Sequence, residues 1–147
     1  MFGGQGNRAI EESAHEMIPI VVISLKRADV RCGRISQRLR GLGVTYEIFD
    51  AIDGRELSSK EKNRAVNRFS FWCRVGRPVL DGEIGCALSH VRVYKRFLEE
   101  QTRVGIDNIP CICILEDDAI LTDRFKESLA GVERMITKTR SCSVEQP

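Results

Sequence analysis

The chain has 147 residues, of which 42% are hydrophobic and 30% are charged, and this balance excludes an intrinsically disordered or fibrous protein. The 23 basic and 21 acidic side chains give a formal charge of +2, which is too even to indicate binding of nucleic acid through bulk charge. A chain of this length can form one domain that buries roughly two-thirds of its surface.

The sequence also limits where the protein is expected to act. The longest apolar stretch, residues 18–25, is far shorter than the ~20 residues that a membrane-spanning helix needs. Residues 1–17 are polar and glycine-rich, lack the pattern of a secretory signal, and are expected to form a flexible leader. The six cysteines form no C-x-x-C pair, which favours reduced thiols over a disulfide framework. We therefore expect a cytoplasmic domain.

The first half of the chain predicts a strand, a helix and a second strand. Residues 18–25 form a continuous β-branched run, which is typical of a strand covered on both faces in a parallel sheet. Apolar residues recur at helical spacing over 29–42, and residues 46–49 resemble a strand. Arg31, Arg34 and Arg38 form a stripe on the predicted helix, either as a solvated flank or as a surface for an anionic ligand.

The second half continues the alternation of helices and strands. Ser58 and Glu61 fit a capping box and predict a short helix, whereas residues 67–81 lack a period and predict a long loop. A strong helix is predicted from Gly82, followed by a strand at 110–115 and a helix at 123–136. We therefore predict an α/β domain over 18–136, with a mainly parallel sheet flanked by helices, and a disordered tail over 137–147.

Three consecutive acidic residues, Glu116, Asp117 and Asp118, follow the last predicted strand. Adjacent carboxylates repel one another unless a cation compensates them, and open α/β sheets bind ligands at the carboxyl ends of their strands. A hard ion such as Mg²⁺ or Mn²⁺ prefers carboxylate oxygens. Strand alternation places Glu116 and Asp118 on one side, as a candidate site, and Asp117 on the other, in a structural role. A solvated acidic turn that caps the next helix is the alternative.

The start of the helix at Gly82 is the second candidate region. Gly82 and Gly85 permit close backbone approach, and a helix N-terminus favours phosphate oxygens, although glycines at a helix start are weak indications alone. Ser89 and His90 lie on the second helical turn, where they either face a cleft as donor or base or pack as ordinary side chains.

Two aspartates in the sequence FDAIDG form a third candidate region. Asp50 and Asp53 follow the second predicted strand, where their carboxylates could bind sugar hydroxyl groups. Local hydrogen bonds within a turn explain the same residues equally well.

Four motifs in order make the pattern specific: VVISLKRADVR, FDAIDG, GRPVLDGEIGCALSH and ILEDDA. This series closely resembles glycosyltransferase family 25, the galactosyltransferases of lipopolysaccharide and lipooligosaccharide biosynthesis. The resemblance implies a GT-A-like, Rossmann-like fold that transfers a hexose, typically galactose from UDP-galactose, to a glycan or lipid-linked glycan acceptor. No nucleic-acid partner is expected, and a lipid-linked acceptor would place the protein peripherally at the inner face of the cytoplasmic membrane.

The resemblance also implies roles for individual residues. The acidic motif matches the family's metal motif, so Asp118 is the expected ligand of Mn²⁺ or Mg²⁺, with Glu116 assisting at the metal or at the donor ribose. His90 and Glu83 are the catalytic candidates. The donor-binding candidates are Asp50, Asp53, Gly82, Gly85, Ser89 and Glu116.

Members of this family usually continue well beyond the acidic motif, so we expect an incomplete C-terminal half of the fold. The alternative function is therefore a truncated, inactive nucleotide-sugar-binding remnant, or an interaction module that self-associates through an exposed sheet edge. A Mg²⁺-dependent phosphotransfer domain also places acids after a strand, but no D-x-D-x-T-like pattern supports it.

Overall fold

The computed structural model describes residues 18–104 and 111–143. The predicted leader, residues 1–17, and residues 144–147 of the predicted tail lie outside the described residues. Within the described ranges, each strand is followed by one or more helices. In order they are β1 (Ile20–Ser24), α1 (Asp29–Gly41), β2 (Glu47–Asp50), α2 (Ser59–Ala65), α3 (Arg68–Val75), α4 (Asp81–Val104), β3 (Cys113–Glu116) and α5 (Phe125–Ser143).

The three strands form a parallel sheet in the order β2-β1-β3. β1 is central, and each of its five residues is buried, as expected for a strand that helices cover on both faces. In the register of the sheet, Ser24 lies beside Asp50 and Ile23 lies beside Glu116. The predicted α/β fold with a parallel sheet is therefore confirmed.

Alternating residues of β1 enter two separate hydrophobic clusters. Ile20 and Val22 pack with Ile35 and Leu39 of α1, and side chains of α5 contact the same cluster. On the opposite face, Val21 and Ile23 pack with Val93 of α4. The described residues thus form three layers, with α1 and α5 on one side of the sheet and α4 on the other. This arrangement agrees with the Rossmann-like, GT-A-like fold that the family resemblance implies.

The region between β2 and α4 differs from the sequence prediction. The capping box at Ser58 is present, and it begins α2 as predicted. The predicted long loop over 67–81 is wrong, because α3 occupies its first half. The Asn67 side chain accepts a hydrogen bond from the Ser70 N–H and starts the helix, and Gly76 ends it with a positive φ of 75°. α3 buries none of its residues, and its eight residues are too few to show a clear helical period in the sequence.

The last helix is longer than predicted. α5 continues to Ser143, so the prediction of a disordered tail is wrong for residues 137–143. Across residues 18–104 and 111–143, the structure contains no helix with both the length and the apolar character that a membrane crossing requires.

Candidate functional site

The parallel strands bring their polar ends to one edge of the sheet. Asp50 ends β2, Ser24 ends β1 and Glu116 ends β3, and the register places them side by side along this edge. Asp117 and Asp118 follow directly after β3. In open α/β sheets, ligands bind beyond the carboxyl ends of the strands, at the point where the strand order reverses. The acidic motif therefore lies at the edge that the sequence predicted.

Asp117 is the buried member of the acidic triplet. Its carboxylate accepts a hydrogen bond of 2.8 Å from the Ser24 hydroxyl and lies 3.3 Å from Nε of Arg31. Its backbone N–H donates to the carbonyl of Ile23, which extends the β1–β3 pairing by one residue. Asp117 thus ties β3 to β1 and α1, whereas Glu116 and Asp118 are exposed. This division agrees with the one expected from strand alternation.

Two arginines of the α1 stripe contact the segment after β3. Arg31 pairs with Asp117, and Arg38 donates to the carbonyl of Leu121 and to the Asp123 carboxylate at 3.0 and 2.6 Å. Arg34 is exposed. Arg31 and Arg38 therefore hold the chain that leaves the site against α1, a role that neither interpretation of the stripe had included.

α4 supplies two further side chains to the carboxyl edge. Cys86 and His90 lie four residues apart, so they share one face of the helix. The Cys86 thiol lies 3.5 Å and the His90 Nε2 atom lies 3.2 Å from the same oxygen, Oε1 of Glu116. One atom from each of the three residues lies within 4.8 Å of the others. His90, a catalytic candidate from the sequence, therefore lies beside Glu116 of the acidic motif, together with Cys86, which was not among the candidates.

The electrostatics of this cluster are dominated by negative charge. The pKa of the Cys86 thiol is raised, first by desolvation and then by the charges of Glu116 and Asp118. In the absence of a bound cation, Cys86 is therefore a neutral thiol. The negative charges of Asp118 and Glu116 both act on this thiol. The spacing Cys86-x-x-x-His90 was visible in the sequence, and its position before the acidic motif was the signal that could have identified Cys86.

The turn after β2 packs closely onto the start of α4. A Cβ atom on Gly85 would lie 2.5 Å from the carbonyl oxygen of Ile52, and one on Gly54 would overlap the carbonyl of Asp81. The close backbone approach predicted for Gly85 is therefore present, but its partner is this turn and not a phosphate. A Cβ atom on Gly82 would meet no atom within 4 Å.

Ser89 holds the same turn by hydrogen bonds. Its side chain is fully buried, donates to the Gly85 carbonyl at 2.7 Å and accepts from the Ile52 N–H at 2.8 Å. A direct contact with a sugar donor, as predicted for Ser89, does not fit a side chain without exposed surface. Its role in this structure is to position the turn that carries Asp50 and Asp53.

The two aspartates of this turn have different surroundings. Asp53 accepts a hydrogen bond of 2.7 Å from Arg27 and one from the Arg55 N–H, and these contacts lower the pKa of its carboxyl group. The local turn bond that was the alternative for Asp53 is therefore present. Asp50 is exposed and forms an ion pair with Lys26 at 3.3 Å. Asp50 is thus the more accessible of the two.

Glu83 uses both carboxylate oxygens in contacts within the chain. Arg77 donates to them at 2.6 and 3.0 Å, and the Leu80 N–H donates at 2.8 Å. The Arg77 guanidinium, first by hydrogen bonding, lowers the pKa of Glu83 to about 2. Such a carboxylate is a weak base, and its contacts favour a structural role at the start of α4 over the catalytic role that the sequence suggested.

The parallel sheet flanked by helices, with acids and a histidine at its carboxyl edge, makes this a Rossmann-like α/β protein. The sequence profile of glycosyltransferase family 25, described as "LPS biosynthesis protein", matches residues 17–144. The chain therefore belongs to glycosyltransferase family 25, and the resemblance drawn from the four motifs is confirmed.

Curated relatives support the same assignment. The chain is 31% identical over 116 residues to a glycosyltransferase 25 family member of Aedes aegypti, with 77% of this chain and 18% of that protein covered. It is 27% identical over 128 residues to procollagen galactosyltransferase 2 of Mus musculus, covering 82% of this chain and 19% of the relative. It is also 31% identical over 113 residues to the probable inactive glycosyltransferase 25 family member 3 of Rattus norvegicus, with 75% of this chain and 18% of that protein covered. The chain thus spans less than a fifth of each relative.

Proposed function

We propose that this chain is the donor-binding part of a glycosyltransferase that moves a hexose from a nucleotide sugar to a glycan. The observation that carries the proposal is the exposed pair Glu116 and Asp118 at the carboxyl edge of the sheet, with His90 beside Glu116. The donor that we propose is UDP-galactose, which agrees with the name of the mouse galactosyltransferase. The family description supports a lipopolysaccharide, lipooligosaccharide or related glycan acceptor.

A divalent ion, Mn²⁺ or Mg²⁺, is part of this proposal. Hard cations take carboxylate oxygens, and both Asp118 and Glu116 present exposed carboxylates at this edge. Among the described residues, Asp118 has neither a hydrogen-bond partner nor an ion-pair partner, so its oxygens are available to a ligand. When bound, such an ion stabilises the negative charge that develops on a diphosphate leaving group.

The remaining residues divide into ligand contacts and positioning contacts. His90 is the group that can hold or move a proton, because its Nε2 atom is only partly buried and already hydrogen-bonds a carboxylate. Asp50 and Gly82 are accessible for contacts with the donor. Ser89, Gly85 and Asp53 position the turn between β2 and α2, and Glu83 positions the start of α4. We therefore do not assign a catalytic role to Glu83.

The location follows from the proposed substrates. This location assumes a cytoplasmic supply of the nucleotide sugar and a lipid-linked acceptor at the inner face of the cytoplasmic membrane. We propose that the protein acts in the cytoplasm, peripherally at that surface.

Titration calorimetry with UDP tests the donor site. We expect UDP to bind more tightly with Mn²⁺ than without it, because Asp118 and Glu116 would hold the ion and its charge would offset that of the diphosphate. Asp118→Ala should remove the effect of Mn²⁺. Glu127→Ala is the matched control, since its exposed carboxylate pairs with Arg124 at the start of α5 and lies outside the site. Absence of UDP binding under every metal condition would contradict the proposal.

A second function, a catalytically inactive nucleotide-sugar-binding or interaction module, is favoured by one structural observation. The described sheet has only three strands, so β2 and β3 each leave one edge without a strand partner among the described residues. An assay for galactose transfer or for UDP release from UDP-galactose separates the two functions. Binding of UDP without any turnover would favour the inactive module.

A further inference from the structure

We propose that Cys86, His90 and Glu116 form a site for a borderline-soft divalent ion, best matched by Zn²⁺. This site overlaps the oxygen-ligand site that the proposed function assigns to Asp118 and Glu116, because both use Glu116. A thiolate and an imidazole favour zinc over Mg²⁺ or Mn²⁺, which prefer oxygen ligands.

The positions of the three ligand atoms carry this inference. Zinc bonds of about 2.3 Å to sulfur and 2.0–2.2 Å to nitrogen or oxygen place tetrahedral ligand atoms about 3.4–3.6 Å apart. The Cys86 Sγ and His90 Nε2 atoms lie 3.5 and 3.2 Å from Oε1 of Glu116. All three atoms lie within 4.8 Å of one another. Side-chain adjustments of a few tenths of an ångström would therefore bring Sγ of Cys86 and Nε2 of His90 to the distances from Oε1 of Glu116 that tetrahedral zinc requires.

The backbone that carries the ligands is regular. Cys86 and His90 project from adjacent turns of α4, a helix of 24 residues, and Glu116 is the last residue of β3. Such a frame fixes the ligand spacing better than a loop would. The ring of Tyr94 contacts that of His90, with centroids 6.0 Å apart, and limits how the imidazole can turn.

The site has both an access path and an open coordination position. Cys86 and Glu116 are exposed and His90 is partly exposed, so an ion can reach all three from solvent. Three protein ligands leave a fourth tetrahedral position for water or another ligand. Coordination requires that the Cys86 thiol release its proton to solvent, so zinc binding should liberate protons and weaken at low pH.

Sharing of Glu116 gives the site a consequence for function. A zinc ion that takes the Glu116 carboxylate removes one ligand from the site for the hard cation. We therefore expect Zn²⁺ to reduce the Mn²⁺-dependent binding of UDP, an expectation that rests on the proposed function.

Titration of the full chain with Co²⁺ tests the site without reference to activity. Cobalt replaces zinc, and a thiolate ligand gives it a charge-transfer band in the near ultraviolet. We expect such a band at one equivalent, and its loss when Zn²⁺ is added. Cys86→Ser should abolish the band and weaken zinc binding in calorimetry more than about tenfold. Cys73→Ser, which removes an exposed thiol of α3, should leave both unchanged.

The outcome that overturns the zinc site is a missing charge-transfer band, or a band that Cys86→Ser does not affect. Circular dichroism of each variant establishes that it is folded. His90→Ala provides a second test of the zinc site, because it should weaken zinc binding while leaving every thiol in place.

Two variants separate this inference from the proposed function. Asp118→Ala should lose the Mn²⁺ effect on UDP and keep the cobalt band, whereas Cys86→Ser should do the reverse. Glu116→Gln should impair both. If the cobalt band is present and UDP never binds, the donor site fails and the zinc site stands. If UDP binds with Mn²⁺ and the band is absent, the zinc site fails alone.

Discussion

The carboxylate of Glu83 shows how one side chain fixes the start of a helix. It accepts two hydrogen bonds from Arg77 and one from the Leu80 N–H, one of the backbone donors that precede α4. Arg77 also lies over the ring of Phe71, at 5.8 Å from its centroid. A single ion pair thus links α3, the connection that follows it and α4.

We predict that Glu83→Gln changes the response of the protein to acid. The pKa of Glu83 falls from its usual 4.5 to about 2 in the folded protein, so its ionised form favours folding above pH 4.5. This contribution disappears as the pH falls from 4.5 towards 2. Urea denaturation at several pH values should therefore show a difference in unfolding free energy between native and variant protein that is largest near neutrality and shrinks in acid.

Arg77→Ala provides the partner experiment, because it removes the cause of the lowered pKa of Glu83. It should reproduce the altered acid response, and the double variant should add little to either single variant. Parallel pH profiles for the native protein and Glu83→Gln would contradict the interpretation.

Single residues were predicted well where the pattern was local. Alternation along the strand correctly separated buried Asp117 from exposed Glu116 and Asp118. The partners of Asp117 could not be predicted, because Ser24 lies 93 residues away and alternation does not identify which polar groups a fold brings together. Cys86 was missed for the same reason: its proximity to Glu116 depends on how α4 lies on the sheet.

At the scale of elements, the turn between β2 and α2 is joined to α4 by backbone packing. Gly85 allows the Ile52 carbonyl to approach the helix, and Ser89 bonds the same turn one helical turn later. Asp50 therefore keeps a fixed position relative to His90 and Cys86. The structure of this turn is therefore part of the site.

We predict opposite effects for two Gly→Ala substitutions in helices. Gly85→Ala should destabilise the fold by about 1–3 kcal/mol, because the added Cβ would lie 2.5 Å from the Ile52 carbonyl and force backbone to move. Gly33→Ala, on the exposed face of α1, should stabilise it by about 0.5–1 kcal/mol, because no atom lies within 4 Å of the added Cβ.

Thermal or urea unfolding of both variants gives the required comparison. If both substitutions changed the free energy of unfolding by the same amount and in the same direction, the turn would not pack against α4 as described. Loss of UDP binding by a folded Gly85→Ala protein would also show that the position of the turn matters for the site.

Elements with a strong period were predicted and those without one were not. β1, α1 and α4 bury apolar residues at regular spacing, and their bounds agree with prediction within a few residues. α3 exposes Phe69 and Trp72, so its aromatic residues indicated no helical face and the sequence was interpreted as a loop. The sequence signals that mark α3 are its caps, Asn67 and Gly76, because eight residues are too few to establish a helical period.

At the scale of the whole molecule, a three-stranded parallel sheet leaves outer strands that can accept a further strand. β2 exposes Ile48, and Glu47 on the same strand is held by a bidentate ion pair with Arg96 of α4. Such an edge is a surface on which another chain can add a strand. Self-association through this edge remains a prediction.

Sedimentation velocity at increasing protein concentration tests self-association. If β2 pairs with a second copy, the apparent mass should rise with concentration, and Ile48→Lys should shift the protein to the monomer by placing a charge on the edge strand. Val91→Lys, at an exposed position of α4, is the matched control and should leave the association unchanged. A monomer at every concentration would contradict the prediction.

The central position of β1 has a consequence for the order in which the protein is made. Its partner β2 ends at residue 50, but its other partner, β3, begins only at residue 113. A ribosome at about 20 residues per second or slower needs several seconds to synthesise the intervening segment. During that interval β1, which is fully buried in the finished protein, has one edge without a strand partner. Nascent chains of intermediate length are therefore the forms that expose this strand and that chaperones would bind.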